Sequence, residues 1–288
     1  MRILVTGAGG MLGQDLVRAA REAGDEVLAL ARAELDVTDA DAVERALADA
    51  KVGAGDAIVN CAAWTDVDRA EADRAGAFRV NAIGPAVLAG AAAGAGARLV
   101  HVSTDYVFDG ERPPEAPPYV ESDPTGPRSE YGRSKLEGEK LVATSGVSYA
   151  VARSSWLFGL GGRNFVATML ALAAGRDEVA VVADQIGCPT ATAHLAPALL
   201  ELARSDAQGV FHVAGGGDPV SWHAFAAEIF RQAGTGTRVL PCTTAEMPRA
   251  APRPAFSALA SERPEAPVLP PWQDGVANYL TLRKAVHA

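Results

Sequence analysis

The chain has few cysteines and little positive charge. Its three cysteines, Cys61, Cys188 and Cys242, are scattered and never spaced as Cys-x-x-Cys. This pattern favours a reducing compartment and disfavours a disulfide scaffold or a zinc site. The formal net charge of -9 argues against duplex nucleic acid or an anionic membrane as the main partner.

The sequence also lacks an apolar run that is long enough to cross a bilayer. The longest weakly polar stretch, 82–97, is mostly Ala and Gly, contains Pro85 and falls short of the roughly 20 apolar residues that a membrane span needs. Residues 1–5 pass directly into a strand pattern, without the regions of a secretory signal. We therefore expect a soluble, cytoplasmic protein.

Strand and helix patterns alternate through the first half of the chain. Strands are predicted at 2–6, 26–31, 56–60, 98–103 and 149–153, and helices at 11–23, 39–50 and about 73–95, with another helix at Tyr131. This alternation predicts the α/β class, with a doubly wound parallel (Rossmann) sheet and right-handed crossovers.

The second half of the chain has a different organisation. Strand signals are isolated at 179–182 and 210–213, helical patterns occur at about 165–174, 192–203 and 221–234, and the proline-rich stretch 241–271 shows no regular pattern. We predict a sheet domain at 1–150 and a smaller, interleaved C-terminal lid at 151–288, of which about 163–200 returns to the sheet.

Three glycines, Gly7, Gly10 and Gly13, lie between the first strand and the first helix. Glycine there permits a tight turn and lets a pyrophosphate approach the backbone, and the helix N-terminus at Met11 and Leu12 supplies N–H groups and a positive dipole. An ordinary turn is the alternative, but the strand-to-helix context favours a dinucleotide cofactor.

The end of the second strand distinguishes the two nicotinamide dinucleotides. An acidic residue there hydrogen-bonds the ribose of NAD, whereas an arginine suits the additional phosphate of NADP. Arg32 stands at this position, which favours NADPH with NADH tolerated; a solvated surface charge is the alternative that the sequence leaves open. Asp36 and Val37 follow, and we expect them beside the adenine.

The third strand ends in the small residues Cys61, Ala62 and Ala63 after Asn60. Small side chains let the backbone and a cofactor meet closely at the carboxyl end of the sheet, where ligands of open α/β folds bind. Such a strand end is also an ordinary packing solution, so this motif is weak by itself.

Tyr131 and Lys135 lie four residues apart in a predicted helix with Ser129 as N-cap, so the phenol and the ammonium share one face. A fixed positive charge lowers the pKa of a phenol, and such a tyrosine acts as a general acid or base near neutral pH. Y-x-x-x-K is also common in exposed helices, so the remaining motifs decide.

The segment Ser103-Thr104-Asp105-Tyr106 ends the strand before that helix. A hydroxyl at this strand end can hydrogen-bond a substrate carbonyl beside the Tyr131 phenol, although Ser-Thr-Asp is also common where a strand passes into a loop. The glycine turn, the small strand end, this hydroxyl strand end and Tyr-x-x-x-Lys follow one another at one rim of the predicted sheet.

In these motifs the chain resembles the extended, nucleotide-sugar-modifying branch of the short-chain dehydrogenase/reductases, and within it the dTDP-4-dehydrorhamnose reductase family. The resemblance covers nearly the whole chain and weakens from about 235 to 271. The segments that carry it are 7–13, 60–63, 103–110 (S-T-D-Y-V-F-D-G), 131–135, 153–156, 184–190 (D-Q-I-G-C-P-T) and 209–216.

The resemblance implies NAD(P)H-dependent reduction of the C4 ketone of a dTDP-4-keto-6-deoxyhexose, with the cofactor on domain 1–150 and the sugar under the lid. Tyr131 would donate the proton, Lys135 would lower the phenol pKa and hold the nicotinamide ribose, and Thr104 would share the carbonyl hydrogen bond. The substrate-binding residues implied are Thr65, Val67, Thr104, Tyr106, Trp156, Gln185 and Arg253.

Some family members bind magnesium through glutamates between subunits, but no carboxylate cluster in this sequence requires the ion, so we assign no metal ligand.

Two other functions stay open. An epimerase or dehydratase of the same branch needs additional acid/base residues, and dehydratases add Asp-Glu where Thr104 is followed here by Asp105-Tyr106. A regulatory subunit on this fold, similar to a partner of methionine adenosyltransferase, is disfavoured by intact Tyr131 and Lys135. The sugar, the C4 stereochemistry and the oligomeric state, a homodimer included, are not determined by the sequence.

Overall fold

A six-stranded parallel sheet organises the protein, whose computed structural model describes residues 1–287. Across the sheet the strands are Gly209–His212 (β10), Ser148–Ser154 (β5), Arg98–Thr104 (β4), Ala57–Asn60 (β3), Arg2–Thr6 (β1) and Glu26–Leu30 (β2). Every neighbouring pair is parallel. The predicted doubly wound α/β class is therefore confirmed.

Helices cover both faces of the sheet because successive strand side chains point to opposite sides. The first face is covered by Met11–Glu22 (α1) and Thr192–Arg204 (α8), which pack on Ile3 and Val5 of β1. The other face carries Ala40–Asp49 (α2), Gly84–Ala95 (α5) and Glu130–Ala143 (α6). All six parallel strands thus end at the same edge of the sheet, which lies between two helical layers.

The predicted helix at about 73–95 is not uniform. It consists of Arg74–Phe78 (α4), a wide π-helical turn at Arg79–Ile83, and α5, and it follows a short helix, Val67–Ala72 (α3), that was not predicted. Within the wide turn, the Asn81 amide accepts from Trp64 N and donates to Trp64 O and Ser134 Oγ. Asn81 therefore ties the turn both to α6 and to the loop after β3.

The remaining elements form a second core around Phe158, Phe225 and Trp272. Its helices are Phe165–Ala173 (α7), Trp222–Ala233 (α9) and Trp272–His287 (α10). Its strands pair as Glu178–Val182 (β7) with Arg238–Cys242 (β12), Leu157–Phe158 (β6) with Thr190–Ala191 (β9), and Ile186–Gly187 (β8) with Val220–Ser221 (β11). Neither β12 nor α10 was predicted from the sequence.

The division into a sheet domain at 1–150 and a lid at 151–288 stays a prediction, and residue 288 lies outside the described residues. In the structure β5 runs to Ser154, and the elements that return to the sheet are α8, which packs on α1, and β10. In contrast, α7 and β7 pack in the second core. We therefore propose that the returning segment is 192–212 in place of about 163–200.

Candidate active site

The glycine turn after β1 is too crowded for any side chain. Gly7 has φ +68°, and a Cβ there would lie 2.6 Å from the Ala62 nitrogen. A Cβ at Gly13 would overlap the Gly7 carbonyl oxygen, while Gly10 N donates to that oxygen at 2.9 Å. No side chain caps α1 at Gly10. The first amides of α1, at Met11 and Leu12, therefore remain available to an anionic ligand, which fits a dinucleotide phosphate.

The residues predicted near the adenosine lie at the end of β2. The Arg32 side chain is exposed and forms no hydrogen bond or ion pair with residues 1–287. Hydrogen bonds from the backbone and hydroxyl of Thr38 hold the pKa of Asp36 below its usual value, whereas Val37 is buried. This arrangement leaves one free guanidinium beside the predicted ribose position.

The small residues after β3 approach the glycine turn directly. Cys61, Ala62 and Ala63 are all half-buried, and Cys61 N donates to Thr6 O at 3.1 Å. Burial raises the pKa of the Cys61 thiol to about 12, although Lys135 lowers it in part. Cys61 is thus an uncharged, packed side chain at neutral pH and not a thiolate.

Helix α6 begins as the sequence predicts, with Ser129 Oγ accepting from Gly132 N at 3.1 Å. The pKa of Tyr131 moves in the direction opposite to the prediction: burial raises it to about 12, a hydrogen bond with Thr104 lowers it in part, and Asp105 raises it. The reason is the direction of Lys135, whose Nζ donates to Val102 O at 2.6 Å on β4. The ammonium is bound to the sheet and does not contribute to the phenol pKa.

The strand end of β4 carries a carboxylate that sequence reasoning did not assign a role. Thr104 Oγ1 donates to Asp105 Oδ1 at 3.0 Å, and Asp105 Oδ2 is buried without a well-aligned partner in residues 1–287. Burial raises the pKa of Asp105 to about 6, and the nearby Ser257 hydroxyl lowers it in part. The position of Asp105 next to the predicted catalytic hydroxyl of Thr104 was the only signal for it in the sequence.

Tyr106 and Arg253 share a cleft beside Tyr131. The Tyr106 and Tyr131 rings meet edge to face with centroids 5.5 Å apart, and burial raises the pKa of Tyr106. Arg253 Nη2 donates to Asp68 Oδ2 at 2.8 Å, which binds the segment after 250 to α3. The cleft is lined by Tyr106, Phe108, Asp109, Arg128, Ser129, Pro252, Arg253 and Pro254.

Trp156 occupies a strained position between the sheet and the second core. It has φ +49°, which is rare for a bulky residue, and its indole stacks on that of Trp222 with centroids 3.5 Å apart. A Cβ at Gly187 would lie 2.5 Å from the Trp156 ring, so the glycine of the D-Q-I-G segment makes room for it. No motif in the sequence identifies Trp222 as its partner.

Three other predicted substrate residues lie in the segment after β3 and in the lid. Gln185 is buried and donates to Thr244 Oγ1 at 2.9 Å, within the lid. Thr65 is exposed, and Val67 is the first residue of α3. Tyr106 contacts Tyr131 and shares a cleft with Arg253, while Thr104 ends β4 and Lys135 lies one turn after Tyr131 on α6.

Residues 1–287 contain neither a cluster of metal-binding side chains nor a helix that could cross a membrane. No three His, Cys, Asp or Glu side chains are grouped so that they could hold a metal ion, so no residue is assigned to magnesium. None of the helices in that range combines the length and apolar character that a bilayer span requires.

The sheet, the glycine turn and the neighbouring Thr104 and Tyr131 place the protein among the extended short-chain dehydrogenase/reductases. A family model described as the RmlD substrate binding domain matches residues 1–284. The chain belongs to that family, which confirms the resemblance read from its motifs.

Relatives and solved structures agree with this assignment. The chain is 45% identical over 286 residues to the dTDP-4-dehydrorhamnose reductase of Mycobacterium tuberculosis, covering 97% of this chain and 92% of that protein. It is 44% identical over 278 residues to a probable dTDP-4,6-dihydroxy-2-methyloxan-3-one 4-ketoreductase of Streptomyces antibioticus, with 95% and 92% covered. The Bacillus anthracis dTDP-4-dehydrorhamnose reductase in complex with NADP is similar with a TM-score of 0.92, 36% identity, and 98% and 99% covered.

Proposed function

We propose that the protein is an NADPH-dependent oxidoreductase that reduces the C4 ketone of a dTDP-4-keto-6-deoxyhexose. The observation that carries the proposal is the pairing of the buried Thr104 with the half-buried Tyr131, at the same sheet edge as the crowded glycine turn. The family membership and the NADP complex of a relative support the cofactor and the substrate class. NADH is the weaker alternative cofactor.

The chain's own residues suggest how a cofactor would be held. Backbone amides at Met11 and Leu12 would bind the pyrophosphate, with Gly7, Gly10 and Gly13 shaping the turn around it, and the exposed Arg32 guanidinium would pair with an adenosine 2′-phosphate. Asp36 and Val37 would lie beside the adenine, and Cys61, Ala62 and Ala63 would form the floor under the cofactor. A bound reduced nicotinamide supplies the hydride equivalent for the reduction.

Tyr131 and Thr104 would act on the substrate carbonyl. The Thr104 hydroxyl and the Tyr131 phenol would hydrogen-bond the C4 oxygen, and Tyr131 would give its proton to the alkoxide that forms there. A phenol with a raised pKa is protonated at neutral pH, as a proton donor must be. Lys135, held near the cofactor side by Val102 O, would bind the nicotinamide ribose.

The sugar would lie under the lid, between Tyr106, Trp156 and the segment around Arg253. Thr65, Val67 and Gln185 would line the outer part of this space, with Gln185 held by Thr244. The two relatives described above are named for different dTDP-linked sugars, so the exact hexose and its C4 configuration follow from the assay rather than from the fold. A homodimer and a cytoplasmic location stay predictions.

The experiment that tests the function is a cofactor-oxidation assay. Purified protein is mixed with NADPH or NADH and a dTDP-4-keto-6-deoxyhexose, either the rhamnose precursor or a 2,6-dideoxy analogue, and the loss of reduced-cofactor absorbance is followed. We expect turnover with NADPH at a lower KM than with NADH. The absence of turnover with either cofactor and either sugar contradicts the proposal.

A further inference from the structure

A chain of buried polar side chains lies behind Lys135, on the side facing the sheet. It connects Thr6 of β1, Asn60 of β3, His101 of β4 and Lys135 of α6, each at most 2% exposed. Asn60 Nδ2 lies 3.0 Å from His101 Nδ1, and Lys135 Nζ lies 3.4 Å from His101 Nε2. The motifs of the proposed reaction do not use Asn60 or His101.

The orientation of the Asn60 amide is fixed by its neighbours. The Ala62 backbone N–H can only donate, and it donates to Asn60 Oδ1 at 3.0 Å, while Thr6 Oγ1 donates to the same oxygen at 2.7 Å. The other end of the amide, the Nδ2 donor, must therefore face His101. His101 Nδ1 accepts from it, so a neutral imidazole carries its single proton on Nε2. Burial, and the charge of Lys135, hold the pKa of His101 well below its usual range, which keeps the ring neutral.

This tautomer has a consequence for Lys135. The Nε2–H group of His101 points toward an ammonium that has no lone pair to accept it, whereas an uncharged amine accepts it. Val102 O accepts from Nζ in both protonation states. The other charged or titratable groups around Nζ are Cys61 after β3 and Glu139 on α6, and Arg153 of β5 binds the Glu139 carboxylate through two nitrogens.

We propose that His101 is a positioning residue of the reductase site: held as the Nε2–H tautomer by Asn60, it favours the uncharged amine of Lys135 over the ammonium. The proposal rests on the function proposed above. His101 and burial both act to lower the pKa of Lys135, which is about 8. Glu139 and Cys61 act in the opposite direction and raise this pKa. With a pKa of about 8, Lys135 is still mostly an ammonium at neutral pH but is a stronger acid than an ordinary lysine, so it can return a proton to the Tyr131 phenolate and become the uncharged amine.

The first test reads the tautomer directly and needs no turnover. Full-length protein labelled with ¹⁵N at histidine is measured by NMR, and the His101→Phe variant identifies the His101 signals among those of the five histidines. We expect a protonated Nε2 and an unprotonated Nδ1 through neutral pH. A protonated Nδ1 would overturn the proposal, even if the protein folds and reduces its substrate normally.

The second test reads the charge of Lys135. Lysine labelled with ¹³C at Cε gives four signals, for Lys51, Lys135, Lys140 and Lys284, and Lys135→Met assigns one of them. His101→Phe should raise the midpoint of the Lys135 titration by roughly 0.5 to 1 pH unit, because the variant lacks the Nε2–H group that favours the uncharged amine. A midpoint that stays in place or falls contradicts the proposal.

A matched control uses the far end of the same chain. Thr6→Val removes one hydrogen bond to Asn60 Oδ1 but leaves Ala62 N to orient the amide, so the Lys135 midpoint should not move. A shift as large as that of His101→Phe would show that any change in this region acts on Lys135.

The active enzyme gives a kinetic test of His101→Phe. The basic limb of the kcat–pH profile should move to higher pH together with the Lys135 midpoint, while KM for the sugar stays unchanged. A change in KM alone would assign His101 a merely structural role.

Discussion

Tyr131 shows how surroundings change the chemistry of one residue. A phenol four residues before a lysine suggests a lowered pKa, but the Lys135 ammonium is bound to Val102 O and burial raises the phenol pKa to about 12. The proton is therefore held until an alkoxide, which is a stronger base, forms within reach. In the reductive direction a high pKa suits the residue better than the low value that the spacing suggested.

Tyr131→Phe removes this proton and keeps the ring. We expect kcat to fall by about 10²- to 10⁴-fold, the usual contribution of a positioned general acid, with little change in NADPH affinity. The measurement is kcat from the absorbance assay together with Kd for NADPH from fluorescence quenching. Tyr149→Phe, on β5 and outside this site, is the control. Unchanged kcat in Tyr131→Phe would assign the proton to another group.

Gly7→Ala tests the cofactor turn. The new Cβ would meet Ala62 N at 2.6 Å, and the backbone at φ +68° is strained for alanine, so the turn must move. NADPH affinity should fall at least about tenfold, equivalent to about 1.4 kcal/mol. Gly24→Ala is a matched control, since Gly24 also has a positive φ (+81°) but has no atom within 4 Å of a Cβ. Equal losses of affinity in both variants would contradict a phosphate-binding role.

Arg32→Ala tests the choice between the two cofactors. Because Arg32 is exposed and unpaired in residues 1–287, its removal should cost little stability. A lost charge-assisted contact to the 2′-phosphate should weaken NADPH by roughly 10- to 100-fold and leave NADH nearly unchanged. Arg45→Ala, an exposed arginine on α2, controls for net charge. Equal effects on the two cofactors would return Arg32 to the role of a solvated surface charge.

At the scale of elements, α6 depends on two glycines that allow it to approach its neighbours. A Cβ at Gly132 would overlap the Tyr106 carbonyl oxygen, and a Cβ at Gly138 would overlap that of Asn81. The helix therefore packs against both the strand end of β4 and the wide π-helical turn. One face of the helix carries the half-buried Tyr131 and the buried Lys135 and Glu139 about one turn apart, so the placement of the helix positions the candidate site.

Gly138→Ala should displace α6 from the wide turn. Overpacking against a backbone oxygen costs about 1–3 kcal/mol, which exceeds the gain of up to about 1 kcal/mol from better helix propensity. Urea unfolding should show a net loss of stability, and kcat should fall because Tyr131 moves. Gly90→Ala, an exposed glycine within α5 with no atom near its Cβ, should instead gain about 0.5–1 kcal/mol. A stabilised Gly138→Ala variant would contradict this packing.

The parts of the fold that could be predicted are those with local periodicity. Strands β1 to β5 and helices α1 and α2 fall within about two residues of their expected positions, and α6 begins after its predicted N-cap Ser129, because apolar spacing and caps are local signals. The wide turn in 73–95 was not predictable, since it arises from Asn81 bonding Trp64 and Ser134 across space. β12 was missed because its parallel partner, β7, is about 60 residues away and the strand itself contains Pro241.

The candidate site was predictable to a similar extent. The motifs located Thr104, Tyr131 and Lys135 because each stands at a strand end or on a capped helix. They could not reveal that Lys135 turns toward Val102 O, that Asp105 loses its solvent, or that Trp222 stacks on Trp156. Those features depend on contacts between segments that are distant in sequence, and only packing determines them.

In the whole molecule, the chain enters the second core after β5 and returns to the sheet with α8 and β10. Thr192 Oγ1 donates to Asp15 Oδ2 at 2.6 Å, which joins the start of α8 to α1. The segment after Arg253 lies between Gly110 and Ile186, with Phe256 N donating to Gly110 O and Ile186 N donating to Ala255 O. The two cores therefore enclose the strand end of β4, and Asp105 becomes buried as a consequence of their assembly.

This burial predicts a pH dependence of global stability. The folded-state pKa of Asp105, about 6, is raised above its ordinary value of 3.8, so the folded protein binds this proton more tightly than the unfolded chain does. Stability from this group is present at low pH and is lost as pH rises from about 4 to about 6. Asp105→Asn avoids that loss. It should be more stable than the wild type at pH 7.5 by on the order of 3 kcal/mol, with the advantage fading toward pH 4.5, and its amide oxygen can still accept the hydrogen bond from Thr104 Oγ1.

Urea unfolding of both proteins across this pH range measures the effect. Asp109→Asn is the control of opposite sign, because a hydrogen bond from Tyr119 holds the pKa of Asp109 below its usual value. The stabilisation from the ionised Asp109 is present above the ordinary carboxyl pKa and is lost as pH falls. Asp109→Asn should therefore be less stable than the wild type at pH 7.5, and the two should become similar in stability in acid. The free energies of unfolding of Asp105→Asn and the wild type could instead differ by the same amount at pH 4.5 and pH 7.5. In that case Asp105 titrates as an ordinary carboxyl group, and its burial does not raise its pKa.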